Sequence, residues 1–529
     1  MSLIYFNICT LFFGLFLIFS AGRYFHMLQL SSYKNERYLK WCRQNIKDEI
    51  SVLGILSLFI TLFIFLNKLI FTIFFCLILI FRGLTFRKIP QKKKFVITPR
   101  VKRLYTTLTL FCIILILIIN SFGKANNPKY AFIFFFILAF LSNIPFYLTS
   151  LINLINLPIE KAISMWYIND AKRLLSSHKN LITIGITGSY GKTSSKYILS
   201  RILSEKYNIL MTPESYNTTM GVVKTIREQL NPSHAIFIAE MGAKKRGDIK
   251  EICDIVKPKF GLLTSIGPCH LETFKTIENV ADTKFELIDS LPQDGLAFLN
   301  FDNEIIENRK INKPFCSYGI NNNKLSFWAE NIRYESDGVK FEFCTSDGLV
   351  LPLKTKLLGL HNVLNITGAA GIAIMLSIQP ENIAYAVSRL TAVPHRLELK
   401  PKVAGGYTVI DDAYNSNPAG ASEALTVLSS FKGKKRILVT PGMVEMGDKE
   451  YELNRAFGEK AATCCDFVVA VGKKRSVPIV EGLKNKGFDK DRLWVVKNLN
   501  EGLEVLKKIA DENSVVLFEN DLPDNYEEI

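Results

Sequence analysis

Acidic residues are nearly missing from the first 159 positions, where only Glu36, Asp48 and Glu49 stand against 18 Lys and Arg. The other 370 residues carry 47 basic and 46 acidic side chains, so almost all of the net charge of +16 lies in the N-terminal part. A nucleic-acid footprint would need basic clustering in the water-soluble part, so no nucleic-acid partner is expected. The ten cysteines contain no C-x-x-C pair, and Cys9, Cys42, Cys76 and Cys112 fall among apolar runs. A disulfide framework or zinc ribbon has no support, and reduced, buried thiols are expected. There is no G-x-G-x-x-G, which leaves a dinucleotide site unsupported. No internal repeat is present either.

The N-terminal part has long apolar runs instead, over about residues 3–20, 50–66, 69–82, 105–122 and 131–151. A helix needs about 20 residues to cross the hydrocarbon. The first run has no Lys or Arg before it and makes a poor signal peptide. Ile50 to Phe81 is one 32-residue tract, flanked by six Lys and Arg in residues 21–49 and nine in residues 82–103. Both flanks belong on the cytoplasmic side. The tract must then cross twice, or dip and return, turning at Asn67-Lys68. Five spans follow, with the N-terminus outside and everything after Pro158 in the cytoplasm. Runs such as Phe111–Ile119 have no polar face for water, which argues against a soluble bundle. Residues 152–180 read as a connector, with an amphipathic helix over Ile159 to Leu175.

A different pattern begins at Leu181. The short apolar run Leu181 to Ile186 meets Thr187-Gly-Ser-Tyr-Gly-Lys-Thr-Ser194, and a helical stretch, Ser195 to Lys206, follows. Strand, glycine loop and helix are the context a phosphate loop requires. Thr187, Gly188, Ser189, Gly191, Lys192, Thr193 and Ser194 are therefore candidate nucleotide-binding residues. Gly188 and Gly191 let backbone amides face phosphate oxygens, helped by the helix N-terminus. Lys192 would bridge the β- and γ-phosphates, and Thr193 would hold Mg2+. The strict G-x-x-x-x-G-K-[ST] pattern fails at one place, because Ile186 stands where its first glycine belongs.

The variant T-G-[ST]-x-G-K-[ST] resembles the Mur ligase family, and more closely its D-Ala-D-Ala-adding (MurF-type) branch. The similarity continues in order down the chain. Thr212 to Gly221 resembles T-P-x-x-x-N-x-x-x-G, and Ala235 to Gly242 looks like the second strand with its metal-binding glutamate. Thr264 to Glu272 matches an H-L-E-containing stretch, and Asp282 to Glu286 the segment with a lysine carbamylated in many members. Gly359 to Asn365 fits G-x-H-N-x-x-N. Pro394-His-Arg396 and Asp411 to Pro418 open the C-terminal domain, and Pro441 to Gly447 fits its glycine turn. About residues 180–500 are covered.

The resemblance implies a set of roles, each of which has a plainer alternative. Glu240 ends a five-residue apolar strand and would be an Mg2+ ligand, or else an ordinary strand-end glutamate. His270 would be a further ligand, or a structural histidine. Lys284, on a helix expected over Ile277 to Ser290, would be a carbamate holding a second Mg2+, or a solvated lysine. His361, Asn362 and Asn365 open a helix over Asn362 to Leu376 and would face the adenine, with Asn362 also free to cap the helix. Arg396, Asp412 and Asn415 would reach phosphate and ribose from the C-terminal domain.

The expected fold class is α/β. A helical transmembrane domain (1–158) precedes a P-loop parallel-sheet ATPase domain (159–393), with residues 316–357 as a β extension. A Rossmann-like domain (394–529) follows. The expected function is an ATP-dependent amide ligase working through an acyl phosphate at the cytoplasmic membrane face, in peptidoglycan or a related envelope polymer. Catalysis is assigned to Lys192, Lys284 and His270, and the metals to Thr193, Glu240, His270 and Lys284. ATP and Mg2+, two ions by the resemblance, are the cofactors. A small or lipid-linked carboxylate acceptor and an amino-acid or dipeptide amine are the substrates, with membrane lipid as a further partner. Poly-γ-glutamate-type ligation and an ATP-binding membrane scaffold are the alternatives. Two departures from the family stand out. The membrane segment occupies the place of the UDP-sugar-binding domain. An acidic end (Glu519, Asp521, Asp524, Glu527, Glu528), either a solvated tail or a changed amine pocket, replaces a lysine-glycine-serine turn.

Overall fold

The computed structural model describes residues 3–49, 52–62, 67–85, 94–123, 128–214, 216–269, 271–335, 338–392, 395–400, 406–413, 416–444 and 446–520. The chain divides into two compact units, Met1–Trp166 and Tyr167–Ile529.

The first unit is all helix, with an inside and an outside that are both apolar. Helix Leu3–Leu30 buries Phe13, Leu17 and Phe25, yet Leu11, Leu15 and Phe19 on its other face are each more than half exposed. Helices Lys68–Thr85 and Pro99–Gly123 repeat this, burying Phe71, Phe75 and Leu108 while exposing Phe74, Leu77 and Leu117. Among the described residues two helices, Asn7–Leu30 and Pro99–Ile118, are long and apolar enough to cross a membrane. The Ile50–Phe81 tract does break near Asn67. The Asn67 side chain accepts from the amides of Leu69 (2.9 Å) and Ile70 (3.2 Å) and starts the helix Lys68–Thr85. The expected span over 131–151 is not one helix. Helix Pro128–Asn143 stops, and Pro145–Ser177 leaves it at 87°, so the pair counts at most as one broken span. Pro145 explains the break, because it disfavours helical backbone at Ile144 and supplies no N–H. The carbonyl of Ser142, left at the break, accepts from buried Arg82 (2.8 Å). The same Pro145–Ser177 helix includes the stretch expected as the connector helix.

The second unit holds two sheets. The first comprises β1 (Ile182–Thr187), β2 (Ile209–Met211), β3 (Ile236–Glu240), β4 (Phe260–Leu263), β5 (Leu296–Asn300), β6 (Phe315–Ile320), β7 (Phe327–Glu335), β8 (Gly338–Thr345) and β9 (Val350–Thr355). Their order is 2-3-1-4-5-6-7-8-9, parallel through β7 and antiparallel beyond it. The parallel strands are near-continuous apolar runs because helices cover both faces. On one face Ile198, Leu199 and Ile202 pack with Val363, Ile366 and Ala370. On the other, Ile252, Val256, Phe285 and Ile288 pack against Phe237 and Leu263. Strands β1 and β3 lie side by side, with Ile186 paired to Glu240, which brings the phosphate loop and Glu240 to one edge.

The second sheet comprises β10 (Glu398–Lys400), β11 (Thr408–Asp412), β12 (Lys435–Thr440), β13 (Phe467–Val471), β14 (Leu493–Val496) and β15 (Ser514–Glu519), in the order 10-11-15-12-13-14. Only β10 runs antiparallel. The last strand therefore returns to the middle, and Asp412, Thr440 and Glu519 end adjacent strands on the same carboxyl edge. Ligands bind outside such edges in open α/β sheets. All ten cysteines are free, and all but Cys316 are buried.

Candidate active site

The loop after β1 is built by close approach. Gly188 has φ +153°, and a Cβ there would strike the Thr264 hydroxyl and lie 3.0 Å from the Ser265 backbone. Gly191 has φ +77° in the left-handed region, and its Cβ would come 2.8 Å from Asn365 Oδ1. Neither place tolerates a side chain, which is why the sequence spaces glycines there. Helix Lys192–Leu203 follows directly, starting three residues earlier than expected. Lys192 Nζ donates to the carbonyls of Gly188 (2.7 Å) and Ser189 (3.1 Å), so its ammonium overlies the loop. Burial pulls the pKa of that ammonium down, against the opposing pull of Glu240. Ser194 is half-buried in the first turn of the helix. Thr187 uses its hydroxyl structurally, donating to the Met241 carbonyl (2.9 Å).

Three groups meet at the end of β3. The Thr193 hydroxyl and the Asn217 amide both donate to Glu240 Oε1, each at 3.1 Å. Lys196 Nζ lies 3.0 Å from Glu240 Oε2, with both side chains shut away from solvent. Burial raises the Glu240 pKa, but the charges of Lys196 and Lys192 outweigh it and hold the carboxylate below its ordinary range. Thr193 and Glu240 thus offer two hard oxygens side by side. Mg2+ prefers such a set, taking one or two carboxylates and filling its other positions with phosphate oxygens and water. Among the described residues no group of three His, Cys, Asp or Glu side chains converges to hold a metal unaided. Lys196 escaped the sequence reading. Its signal was spacing, since position i+3 from Thr193 falls on the same helix face.

The segment after β4 is laced to the loop. Ser189 N donates to Ser265 O (2.6 Å), Ser189 Oγ to Gly267 O (3.0 Å), and Tyr190 OH to Pro268 O (2.5 Å). This segment leads to His270, which lies outside the described residues. Lys284, on helix Ile277–Asp289, is not a solvated lysine, being only 2 % exposed. Burial, with the nearby Lys192 charge, pulls its amine down to about 7.

The segment leading into the second sheet contributes Arg396. Its Nη2 stands 3.5 Å from Thr193 Oγ1, across 203 residues of chain. His395 (φ +60°) and Leu397 (φ +48°) on either side of it are both left-handed, a strained backbone of the kind found at functional sites. Asp412 Oδ1 accepts from the Leu397 amide (3.0 Å) and braces this turn, while burial pushes the Asp412 carboxyl up to about 6. Asn415 lies outside the described residues. Helix Leu360–Met375 is capped by Gly359, not Asn362, whose amide turns back to Leu358 O (2.8 Å). One turn apart on that helix, His361 Nδ1 and Asn365 Nδ2 are buried without hydrogen-bond partners, and Asn365 Oδ1 accepts from Ser195 (3.0 Å). Buried orphan atoms are costly unless a ligand satisfies them. Glu519 is no solvated tail residue. It is 1 % exposed at the end of β15, where the Ser416 hydroxyl and Thr440 Oγ1 (2.9 Å) donate to it. Residues 521–529 lie outside the described residues.

Comparison with known proteins agrees with this geometry. Residues 186–373 match the Mur ligase middle domain and residues 395–519 the Mur ligase, glutamate ligase domain. The UDP-N-acetylmuramoyl-tripeptide–D-alanyl-D-alanine ligase of Escherichia coli is 31% identical over 322 residues, covering 59% of this chain and 69% of the relative. The Buchnera aphidicola enzyme of the same name is 32% identical over 329 residues, covering 61% and 70%. MurF of Thermotoga maritima in complex with ADP superposes with a TM-score of 0.60 at 24% identity, covering 68% of this chain and 80% of that one. The chain belongs to the Mur ligase family, whose members bind ATP and Mg2+. It is an ATP-dependent amide ligase of the MurF-like kind, in peptidoglycan synthesis.

Proposed function

We propose that this ligase activates a muramoyl-peptide carboxylate as an acyl phosphate and joins it to the amine of a dipeptide such as D-alanyl-D-alanine, at the cytoplasmic face of a membrane. The observation that carries the reading is the convergence of Lys192, Thr193, Glu240 and Arg396 on one glycine loop. Phosphoryl transfer needs mainly positioning and charge neutralisation. The loop amides and Lys192 would hold the β- and γ-phosphates, and Thr193 and Glu240 would hold Mg2+, which would neutralise phosphate charge. Arg396 would take up charge on the transferring group. The substrate carboxylate oxygen attacks the γ-phosphorus and ADP leaves. The amine nitrogen then attacks the acyl carbon, loses a proton and expels phosphate. His361 and Asn365 supply orphan polar atoms for the base or ribose.

Two finer assignments belong to the same reading. Lys284 has the burial and the lowered basicity that carbamylation needs, and as a carbamate it would add an anionic oxygen ligand for a second Mg2+. His270 would be a further ligand. The outward apolar faces of the first unit, with its basic loops, support a multi-pass membrane anchor whose catalytic part is cytoplasmic. That anchor would hold a lipid-linked acceptor in place of the UDP-sugar domain.

The test is ADP release by the full chain in bilayer discs, with D-alanyl-D-alanine and either UDP-linked or lipid-linked muramoyl tripeptide. Turnover that needs both the acid and the amine supports ligation, and a preference for the lipid-linked acid supports the membrane role. ATP binding with no turnover from any pair would point to a scaffold instead.

A further inference from the structure

The ligase chemistry leaves one buried charge unused. Lys196 is fully buried and lies one helical turn beyond Lys192. Its ammonium is held between two partners: Glu240 Oε2 at 3.0 Å, and the carbonyl of Glu214, a residue in the left-handed region at φ +41°. The two oxygens of Glu240 therefore face different surroundings. Oε1 accepts hydrogen bonds from the Thr193 hydroxyl and the Asn217 amide, whereas Oε2 accepts none among the described residues and is ion-paired with the Lys196 ammonium at 3.0 Å.

We propose that Lys196 is a positioning residue that selects the cation: by occupying Oε2 it limits Glu240 to one oxygen toward the metal and so tunes the site for Mg2+ over the larger Ca2+. The inference rests on the proposed reading that metal-bound nucleotide sits on this loop. Mg2+ needs near-octahedral geometry at about 2.0–2.1 Å and takes single carboxylate oxygens, whereas Ca2+ accepts six to eight ligands and readily takes both oxygens of one carboxylate. A carboxylate with one oxygen already held by an ammonium suits the smaller ion. The Glu214 carbonyl accepts from the same ammonium and helps to hold it beside Glu240.

The experiment measures binding of a fluorescent ATP analogue to the full chain in bilayer discs, with Mg2+, with Ca2+ and with neither. Wild type is expected to bind more tightly with Mg2+ than with Ca2+. In Lys196→Met that preference should shrink about tenfold, at the lower end of what loss of a ligand-orienting partner costs in metal affinity, with metal-free binding unchanged. A folded Lys196→Met with the wild-type preference overturns the proposal. Removing Lys196 takes away the ion-pair partner of buried Glu240, so Lys196→Arg serves where the methionine variant does not fold. The arginine fork can engage both oxygens. Mg2+-supported affinity should then fall about tenfold while metal-free binding holds. Arginine with wild-type Mg2+ affinity also overturns the proposal. A wild type whose nucleotide affinity ignores both cations overturns the metal–nucleotide reading itself.

Discussion

Lys284 gives the sharpest quantitative expectation. An ordinary lysine, with a pKa of about 10.4, has well under one part in a thousand of its amine neutral at pH 7. Burial and the neighbouring Lys192 charge bring Lys284 to about 7, so about half is neutral there. Only the neutral amine adds CO2, so the reactive fraction rises roughly a thousandfold. Carbamylation should therefore climb steeply between about pH 6 and 8. Carbon NMR with isotope-labelled bicarbonate reads it directly, and Lys284→Ala should lose most activity and recover part of it with small added carboxylates. The same shift has a stability consequence of fixed sign. A lysine whose folded pKa is depressed is protonated in the unfolded chain but not in the folded one between about pH 7 and 10. Stability in the unmodified protein must rise with pH across that window. The full cost, up to roughly 5 kcal/mol, is present at pH 7 and below. Lys284→Met should melt higher than wild type at pH 6 and show a flatter pH dependence. Absence of any carbamate signal, with full activity in Lys284→Ala, would refute the reasoning.

Other outcomes follow from the same geometry. Lys192→Ala should weaken nucleotide binding by about 1.5–3 kcal/mol, the usual worth of a charge-assisted hydrogen bond, as read by isothermal titration. Glu519 is pushed up to about 7, mainly by burial, so its stability contribution is complete below about pH 4.5 and is lost as pH rises through 7. Glu519→Gln, always neutral, should be more stable than wild type at pH 8, by up to roughly 3 kcal/mol in denaturant melts. Alkaline carbonate washing should leave the full-length chain in the membrane pellet, and its recovery in the wash would refute integral insertion.

The sequence by itself determined the local chemistry. Glycines at 188 and 191, a lysine and threonine after them, and a glutamate closing an apolar strand are short-range patterns, and local backbone geometry dictates them. The strand–loop–helix unit and the β extension over 316–357 were legible for the same reason, as was the break of the 50–81 tract at Asn67. Where reading failed, a distant partner decided. Spacing from Thr193 puts Lys196 on the loop's side of its helix, but nothing local says that it is buried against Glu240, 44 positions on. Parallel pairing of β1 with β3 puts them together. Arg396 meets Thr193 across 203 residues of chain, a contact that only the closed tertiary structure makes, and Asp412 then serves the turn beside it. Glu519 looked like part of an acidic tail because its strand, last in the chain, inserts between β11 and β12, an order that no local pattern encodes. Crossover topology sets which side chains meet and which charges lose water, and that is decided only when the whole unit closes.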